Sequence, residues 1–174
     1  MKTILLLRHA KSAWSDARLD DHDRPLSKRG ERAAKAMADH IARRGPQPEL
    51  ILCSTSVRTR QTLMPLPKRL AEPAPPISLE SRLYLASEDT LLARLRLVPD
   101  DVSTVLLIAH NDGIARLAEM LAGSGAAETM AKLREKYPTG TLATLRIPDG
   151  PWRDLAAGSA ELLAFVRPRD LLVT

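Results

Sequence analysis

The chain has 174 residues, a length that suits one domain with a full hydrophobic core. Hydrophobic residues make up 44% and charged residues 27%, an ordinary globular balance, and the formal net charge of +5 points to an anionic partner. Aromatics are only 3% and the basic residues are interleaved with acids, which argues against a nucleic-acid surface, while the single cysteine excludes an intrachain disulfide or a thiolate zinc cluster. No apolar run approaches the ~20 residues of a membrane span. Met1-Lys2-Thr3 before residues 4–7 has the outline of a signal peptide, but its apolar part is too short and runs straight into Arg8-His9. A cytoplasmic protein with no membrane partner is expected.

Residues 4–7 are a continuous apolar run, the pattern of a strand buried on both faces, and the run stops abruptly at Arg8-His9. Residues 13–26 read as a polar loop, most charged at Asp20-Asp21-His22-Asp23-Arg24-Pro25. Three acids and a histidine there could hold a metal, but a solvated loop explains the run as well, and no metal is assigned. Arg24 has Asp20, Asp21 and Asp23 as possible ion-pair partners. Ser27 is a good helix N-cap with Glu31 in the first turn. Ala34, Met37 and Ile41 give an apolar stripe at helical spacing, and Gly45-Pro46 ends the helix. Residues 50–53 form a second strand, closed by Cys53 as a small core residue. Ser54, Thr55 and Ser56 offer caps for a new helix whose first turn holds Arg58. A cation there is electrostatically misplaced unless an anion is bound nearby. Pro65 and Pro67 break that helix near Met64.

A stiff proline-rich connection over 72–76 leads to a short strand at 77–79. Ser87 caps a helix with Glu88 and Asp89 in its first turn and Leu91, Leu92 and Leu95 facing inward. Residues 103–109 are the best parallel-strand pattern in the chain and end at His110. A helix from about residue 112 places Ile114, Leu117 and Leu121 on one face. Residues 128–137 read as another helix, stopped by Pro138-Thr139-Gly140. Strand-like alternation follows at 143–147, then a turn at 148–151, then a final strand at 161–167 antiparallel to the one before. Trp152 is expected to pack in the core or hairpin. This order predicts an α/β protein, a three-layer α/β/α sandwich with a mostly parallel central sheet, as a single domain over 1–174.

In such sheets ligands bind beyond the carboxyl ends of the strands. Arg8, His9, Arg58 and His110, with Asn111 and a helix start beside it, are expected at one edge. By sequence no carboxylate lies close to them. Two guanidinium groups, two imidazoles and helix amides make a pocket for a tetrahedral dianion such as phosphate. His9 is the better nucleophile, and His110 would hydrogen-bond the phosphoryl oxygens. Lys11, Ser12 and Asn111 are candidate substrate-binding residues. The chemistry needs no metal and no cofactor.

Leu5-Leu6-Leu7-Arg8-His9-Ala10-Lys11-Ser12 resembles the Arg-His-Gly signature of the histidine phosphatase superfamily. Pro25-Leu26-Ser27 with Gly30 resembles its Pro-Leu-Ser/Thr-x-x-Gly helix start. Ser54 and Arg58 with Gln61-Thr62 resemble its Ser-x-x-x-Arg-x-x-Gln-Thr segment, and Ala109-His110-Asn111 resembles its Gly-His-Asn. Size, the Arg-His-Ala form and the tail from Pro138 to Leu171 resemble the short bacterial branch, the SixA-like phosphohistidine phosphatases. The resemblance implies a phosphoglycerate mutase-like fold and a phosphohistidine intermediate on His9, hydrolysed by water, with Arg8, Arg58 and His110 in the pocket. Ala10, Ala109 and Asp112 depart from the residues common in the family.

Mutases and acid phosphatases of the superfamily carry a carboxylic acid after the third strand to protonate an alkoxide leaving group. The matching stretch here is Leu83-Tyr84, and Glu80, Glu88 and Asp89 are the nearby acids. Imidazole, with a conjugate acid near pKa ~6.5, needs far less help to leave than an alkoxide. The sequence therefore favours phosphohistidine in a protein, of the histidine-phosphorelay type, as substrate. The alternatives are a phosphatase of a small phosphomonoester and a non-catalytic phosphate- or phosphoprotein-binding module.

Overall fold

The structure is a computed structural model that describes residues 1–172 apart from Ser15. Its described strands are β1 (Lys2–Arg8), β2 (Leu50–Ser54), β3 (Ile77–Glu80), β4 (Thr104–Ala109), β5 (Ala122–Gly125), β6 (Leu142–Ile147) and β7 (Ala160–Val166). They form one sheet in the order β3-β2-β4-β1-β6-β7-β5. The first four of these run parallel, β6 is antiparallel to both β1 and β7, and β5 is parallel to β7. The expected mostly parallel sheet is therefore present, with β6 as its reversed strand. The helices are α1 (Lys28–Arg44), α2 (Val57–Leu63), α3 (Glu88–Leu95), α4 (Gly113–Leu121), α5 (Ala127–Glu135) and α6 (Pro168–Leu171).

Side-chain alternation along the central strands feeds two separate apolar layers. Leu5 and Leu7 of β1 join Leu106 and Ile108 of β4 and pack against Met37 and Ile41 of α1. Ile4 and Leu6 point the other way, with Val105 and Leu107, toward Leu91 and Leu95 of α3 and Ile114 and Leu117 of α4. Continuous apolar runs are what a strand covered on both faces requires. Trp152 is fully buried on this second side, where its indole N–H donates to the Val102 carbonyl at 2.8 Å.

Helix boundaries follow local chemistry. The Ser27 hydroxyl accepts from the Gly30 amide and starts α1, and Ser56 and Ser87 cap α2 and α3 in the same way. α2 stops at Leu63, just before Pro65. Two elements depart from the expectation. β5 has the sequence Ala-Gly-Ser-Gly, which carries no apolar alternation, and is held at the sheet edge by its backbone pairing to β7. The short α6 follows Pro168, where a single turn is too brief to show periodicity. No helix of the described residues is long and apolar enough to cross a membrane.

Gly30 links this scaffold to the loop after β1. A Cβ at that position would lie 2.0 Å from the Lys11 carbonyl oxygen, a backbone atom with little room to move. Lys11 O also accepts from the Ser27 amide at 2.9 Å, so α1 begins in direct contact with the His9 loop. Gly30→Ala is expected to cost about 1–3 kcal/mol by overpacking. Thermal or denaturant unfolding checks this, and an unchanged midpoint would contradict the close approach.

Candidate active site

β1 and β4 lie side by side and in parallel, with Arg8 opposite Ala109. Their matched ends deliver His9 and His110 to the same edge, with ring centroids 5.3 Å apart. β2 flanks β4 on the other side and ends at Ser54, whose hydroxyl lies 2.8 Å from His110 Nε2. Arg58 sits in the first turn of α2 and is only 4% exposed, although nothing in a solvated helix would require its burial. Its backbone carbonyl accepts from Thr62 Oγ1, which in turn accepts from the Ala10 amide at 3.0 Å. The helix that carries the arginine is thereby tied to the residue after His9.

His9 Nδ1 lies 2.7 Å from the Ala10 carbonyl oxygen. A carbonyl only accepts, so the ring proton belongs on Nδ1 and the neutral imidazole keeps its lone pair on Nε2. Burial pushes the His9 pKa down to about 4, the Ala10 hydrogen bond opposes this, and the cations of Arg58, Arg8 and Arg24 depress it further. Burial also pushes His110 down to about 3, with His9 and Arg58 adding to the shift. Both rings are neutral at pH 7.

Unsatisfied polarity collects here. Arg8 Nε, His110 Nδ1 and Asn111 Oδ1 are buried and have no hydrogen-bond partner among the described residues. Arg8 Nη1 and Asn111 Nδ2 share the Tyr137 carbonyl, at 2.8 and 3.2 Å. Buried polar atoms without partners are costly unless a ligand meets them. Cationic and neutral N–H donors around a free imidazole nitrogen suit a phosphoryl group.

The expectation of a site without a nearby carboxylate is corrected by the structure. Asp21 reaches Arg58 Nη2 at 2.9 Å and Arg24 Nη1 at 2.8 Å, and its backbone carbonyl accepts from Arg58 Nη1 at 2.6 Å. The Tyr84 hydroxyl also donates to this carboxylate. That bond, then Arg58 and Arg24, hold the Asp21 carboxyl down at about 2 against the opposing effect of burial. The Tyr84 ring stands edge-on to His110, with centroids 5.3 Å apart. The expected pairing of Arg24 with an acid of this run is met by Asp21, whereas the reach of Asp21 to Arg58, 37 residues on, and the place of Tyr84, 26 residues from both Arg58 and His110, have no local signal. The charge-rich run over 20–25 was the available signal for the Arg24 pairing. Of the remaining candidates, the Ser12 hydroxyl is taken by Arg24 Nη2, and Asn111 adjoins His110 as described. The Lys11 side chain lines a separate groove with Arg29 and Lys136. Arg24 also stacks on the exposed Trp14 ring, with its guanidinium carbon 3.2 Å from the centroid. No group of three or more metal-ligating side chains occurs among the described residues.

Residues 4–84 match the family model described as the histidine phosphatase superfamily (branch 1). An uncharacterised protein of Mycobacterium tuberculosis is 38% identical over 169 residues, covering 94% of this chain and 100% of the relative. A candidate phosphohistidine phosphatase SixA from Nakamurella multipartitia is 32% identical, covers 96% of each chain and superposes with a TM-score of 0.82. The chain belongs to the histidine phosphatase superfamily, in its SixA-like branch. A second candidate phosphohistidine phosphatase SixA, from Agrobacterium tumefaciens, is 30% identical over 96% of this chain and 98% of its own, with a TM-score of 0.79. The α/β sandwich is accordingly the phosphoglycerate mutase-like fold of these histidine phosphatases.

The buried neutral histidines of this member of the superfamily link its stability to pH. In the unfolded chain both titrate near the ordinary value of 6.5, and in the folded chain near 4 and 3. Between these values the unfolded state binds more protons, so stability is full above about 6.5 and declines as pH falls toward 4. His40, also lowered by burial, contributes with the same sign. A fall of several degrees in the unfolding midpoint from pH 7 to pH 5 is expected, with a shallower fall for His110→Asn. Equal slopes for the two proteins would contradict the shifted pKa.

Proposed function

We propose that this chain is a metal-independent phosphatase that hydrolyses phosphohistidine in a protein substrate through a covalent phosphohistidine on His9. The observation that carries the reading is the pairing of His9 Nδ1 with the Ala10 carbonyl beside Arg8, Arg58 and His110. It leaves a neutral, oriented Nε2 as nucleophile amid donors for phosphoryl oxygens.

In the first step Nε2 attacks phosphorus and the bond from phosphorus to the substrate imidazole breaks. The imidazole departs neutral when its other ring nitrogen carries a proton. Arg8 and Arg58 neutralise the phosphoryl oxygens, and His110 donates to one of them from a ring N–H. In the second step a water oxygen bonds to phosphorus, the bond to His9 Nε2 breaks with its electron pair returning to the ring, and both water protons leave with the inorganic phosphate. His9 returns to its starting tautomer, held by Ala10.

The acids near the site support a leaving group that needs no strong acid. Glu80 is gripped by Arg94 at 2.7 and 2.9 Å. Burial acts against its ionisation, but hydrogen bonds from Arg94 and Ser78 hold its pKa below the usual carboxylate range. Asp21 is held down at about 2 by Tyr84, Arg58 and Arg24. Both are charged at neutral pH and carry no proton for an alkoxide.

Turnover of a histidine-phosphorylated protein and of a panel of sugar phosphates, with EDTA present throughout, tests the proposal. Phosphohistidine is expected to be the preferred substrate, EDTA to have no effect, and His9→Ala to lose on the order of 10⁴-fold or more. Glu80→Gln is expected to leave turnover essentially intact. Retained activity in His9→Ala, or preference for a sugar phosphate together with a severe Glu80→Gln defect, would overturn the reading.

A further inference from the structure

A groove of about 490 Å³ is bounded by the His9 loop, α1, the end of α5 and α6, at the sheet edge where β1 ends, since Leu7 pairs with Leu142 and Leu142 with Val166. Six cationic side chains line it, Lys11, Arg29, Lys132, Lys136, Arg167 and Arg169, against one acid, Glu135. They come from four segments far apart in sequence, so the concentration of charge is a property of the fold. Local pairing accounts for only part of it. Arg167 is bound by Asp170 at 2.9 Å, and Lys132 approaches Glu128 at 3.6 Å. No described carboxylate lies within salt-bridge distance of Lys11, Arg29, Lys136 or Arg169. Cations at the end of α5 suit its negative pole, but Lys28 and Arg29 occupy the first turn of α1, where the helix dipole opposes them. Assembling these charges without a partner raises the energy of the folded chain.

The groove and the reaction centre share a wall. The Gly140 amide donates to the His9 carbonyl at 2.8 Å, while its neighbours Pro138 and Thr139 line the groove. A Cβ on Gly140 would sit 2.8 Å from Pro168 and 3.8 Å from Ala10, so Gly140 alone separates Pro168 of the groove from the His9 loop. Tyr137, whose carbonyl receives Arg8 and Asn111, is the residue between Lys136 and Pro138. A protein presenting a phosphorylated side chain to His9 would lay its adjoining surface within reach of these cations.

We propose that this groove is a docking surface for an acidic face of the phosphorylated protein substrate. The inference rests on the protein-phosphohistidine reading above and gives that substrate its surface chemistry. Apart from Arg167, whose fork is already held by Asp170, the lining consists of long, mostly exposed lysines and arginines, which suits a spread of carboxylates on a protein surface. Charges of this kind act mainly on encounter, so their effect appears in KM and in salt dependence and leaves the chemical step alone.

The test uses a small histidine-phosphorylatable carrier domain with an acidic surface, a version of it with that surface neutralised, and a short phosphohistidine peptide whose phosphoryl group is its only anionic group. The double variant Lys136→Glu/Arg169→Glu is compared with the native chain. Low-salt binding of the unphosphorylated acidic carrier is expected to weaken at least about tenfold in the variant, and the difference to shrink severalfold at high salt. Binding of the neutralised carrier and turnover of the peptide are expected to be unchanged. Equal affinity of native and variant chains for the acidic carrier would overturn the docking surface, as would an equal loss with both carriers. Because binding is read without phosphate, the surface is decided even if neither phosphorylated substrate is hydrolysed, and that separate result would overturn the phosphatase reading.

Discussion

The imidazole of His9 is oriented by a carbonyl that immediately follows it in the chain. That contact places the ring proton on Nδ1 and leaves Nε2 as the basic nitrogen. It depends on the loop after β1 keeping its path, and much of the surrounding structure serves that end. Thr62 holds the Ala10 amide, Gly30 lets α1 touch the Lys11 carbonyl, and Gly140 donates to the carbonyls of Arg8 and His9. The parallel pairing of β1 with β4 then sets His110 at a matched position.

The second determinant is crowding of positive charge in a buried place. Arg8, Arg58 and Arg24 all act on His9, and together with burial they keep it neutral where an exposed histidine would be partly protonated. The same field attracts the phosphoryl group. Without an anion, such a cluster is partly compensated from within the chain. Asp21 answers Arg58 and Arg24, Tyr84 answers Asp21, and the Tyr137 carbonyl answers Arg8. Arg58 therefore meets a carboxylate that an incoming phosphoryl group must share or displace. Beside the His9 loop a second set of cations, among them Lys11, Lys136 and Arg169, has no carboxylate within salt-bridge distance among the described residues.

The strands and capped helices were legible because each rests on chemistry within a few residues. Two-sided burial of β1 and β4 shows as uninterrupted apolar runs, and Ser27, Ser56 and Ser87 announce the helices they cap. The convergence of Arg8, His9, Arg58 and His110 at one edge was legible from the rule that parallel strands gather their carboxyl ends together. What escaped was polar pairing across long separations. Asp21 is one acid in a run of charged loop residues, and nothing local marks it as the partner of Arg58. Ser12 looked available for substrate, yet its hydroxyl serves Arg24. Lys11 stands two residues after His9, but it lines the groove beside α1 and α6. β5 escaped for a different reason, since backbone pairing to β7 holds it with no side-chain pattern.

A long-range ¹⁵N–¹H correlation spectrum of the imidazoles at pH 6, with His9 assigned by comparison with His9→Ala, tests the central claim most directly. The account predicts a neutral His9 ring protonated on Nδ1, with Nε2 in the unprotonated range and the pattern persisting as pH is lowered toward about 4. An imidazolium pattern at pH 6, or a neutral ring protonated on Nε2, would contradict it.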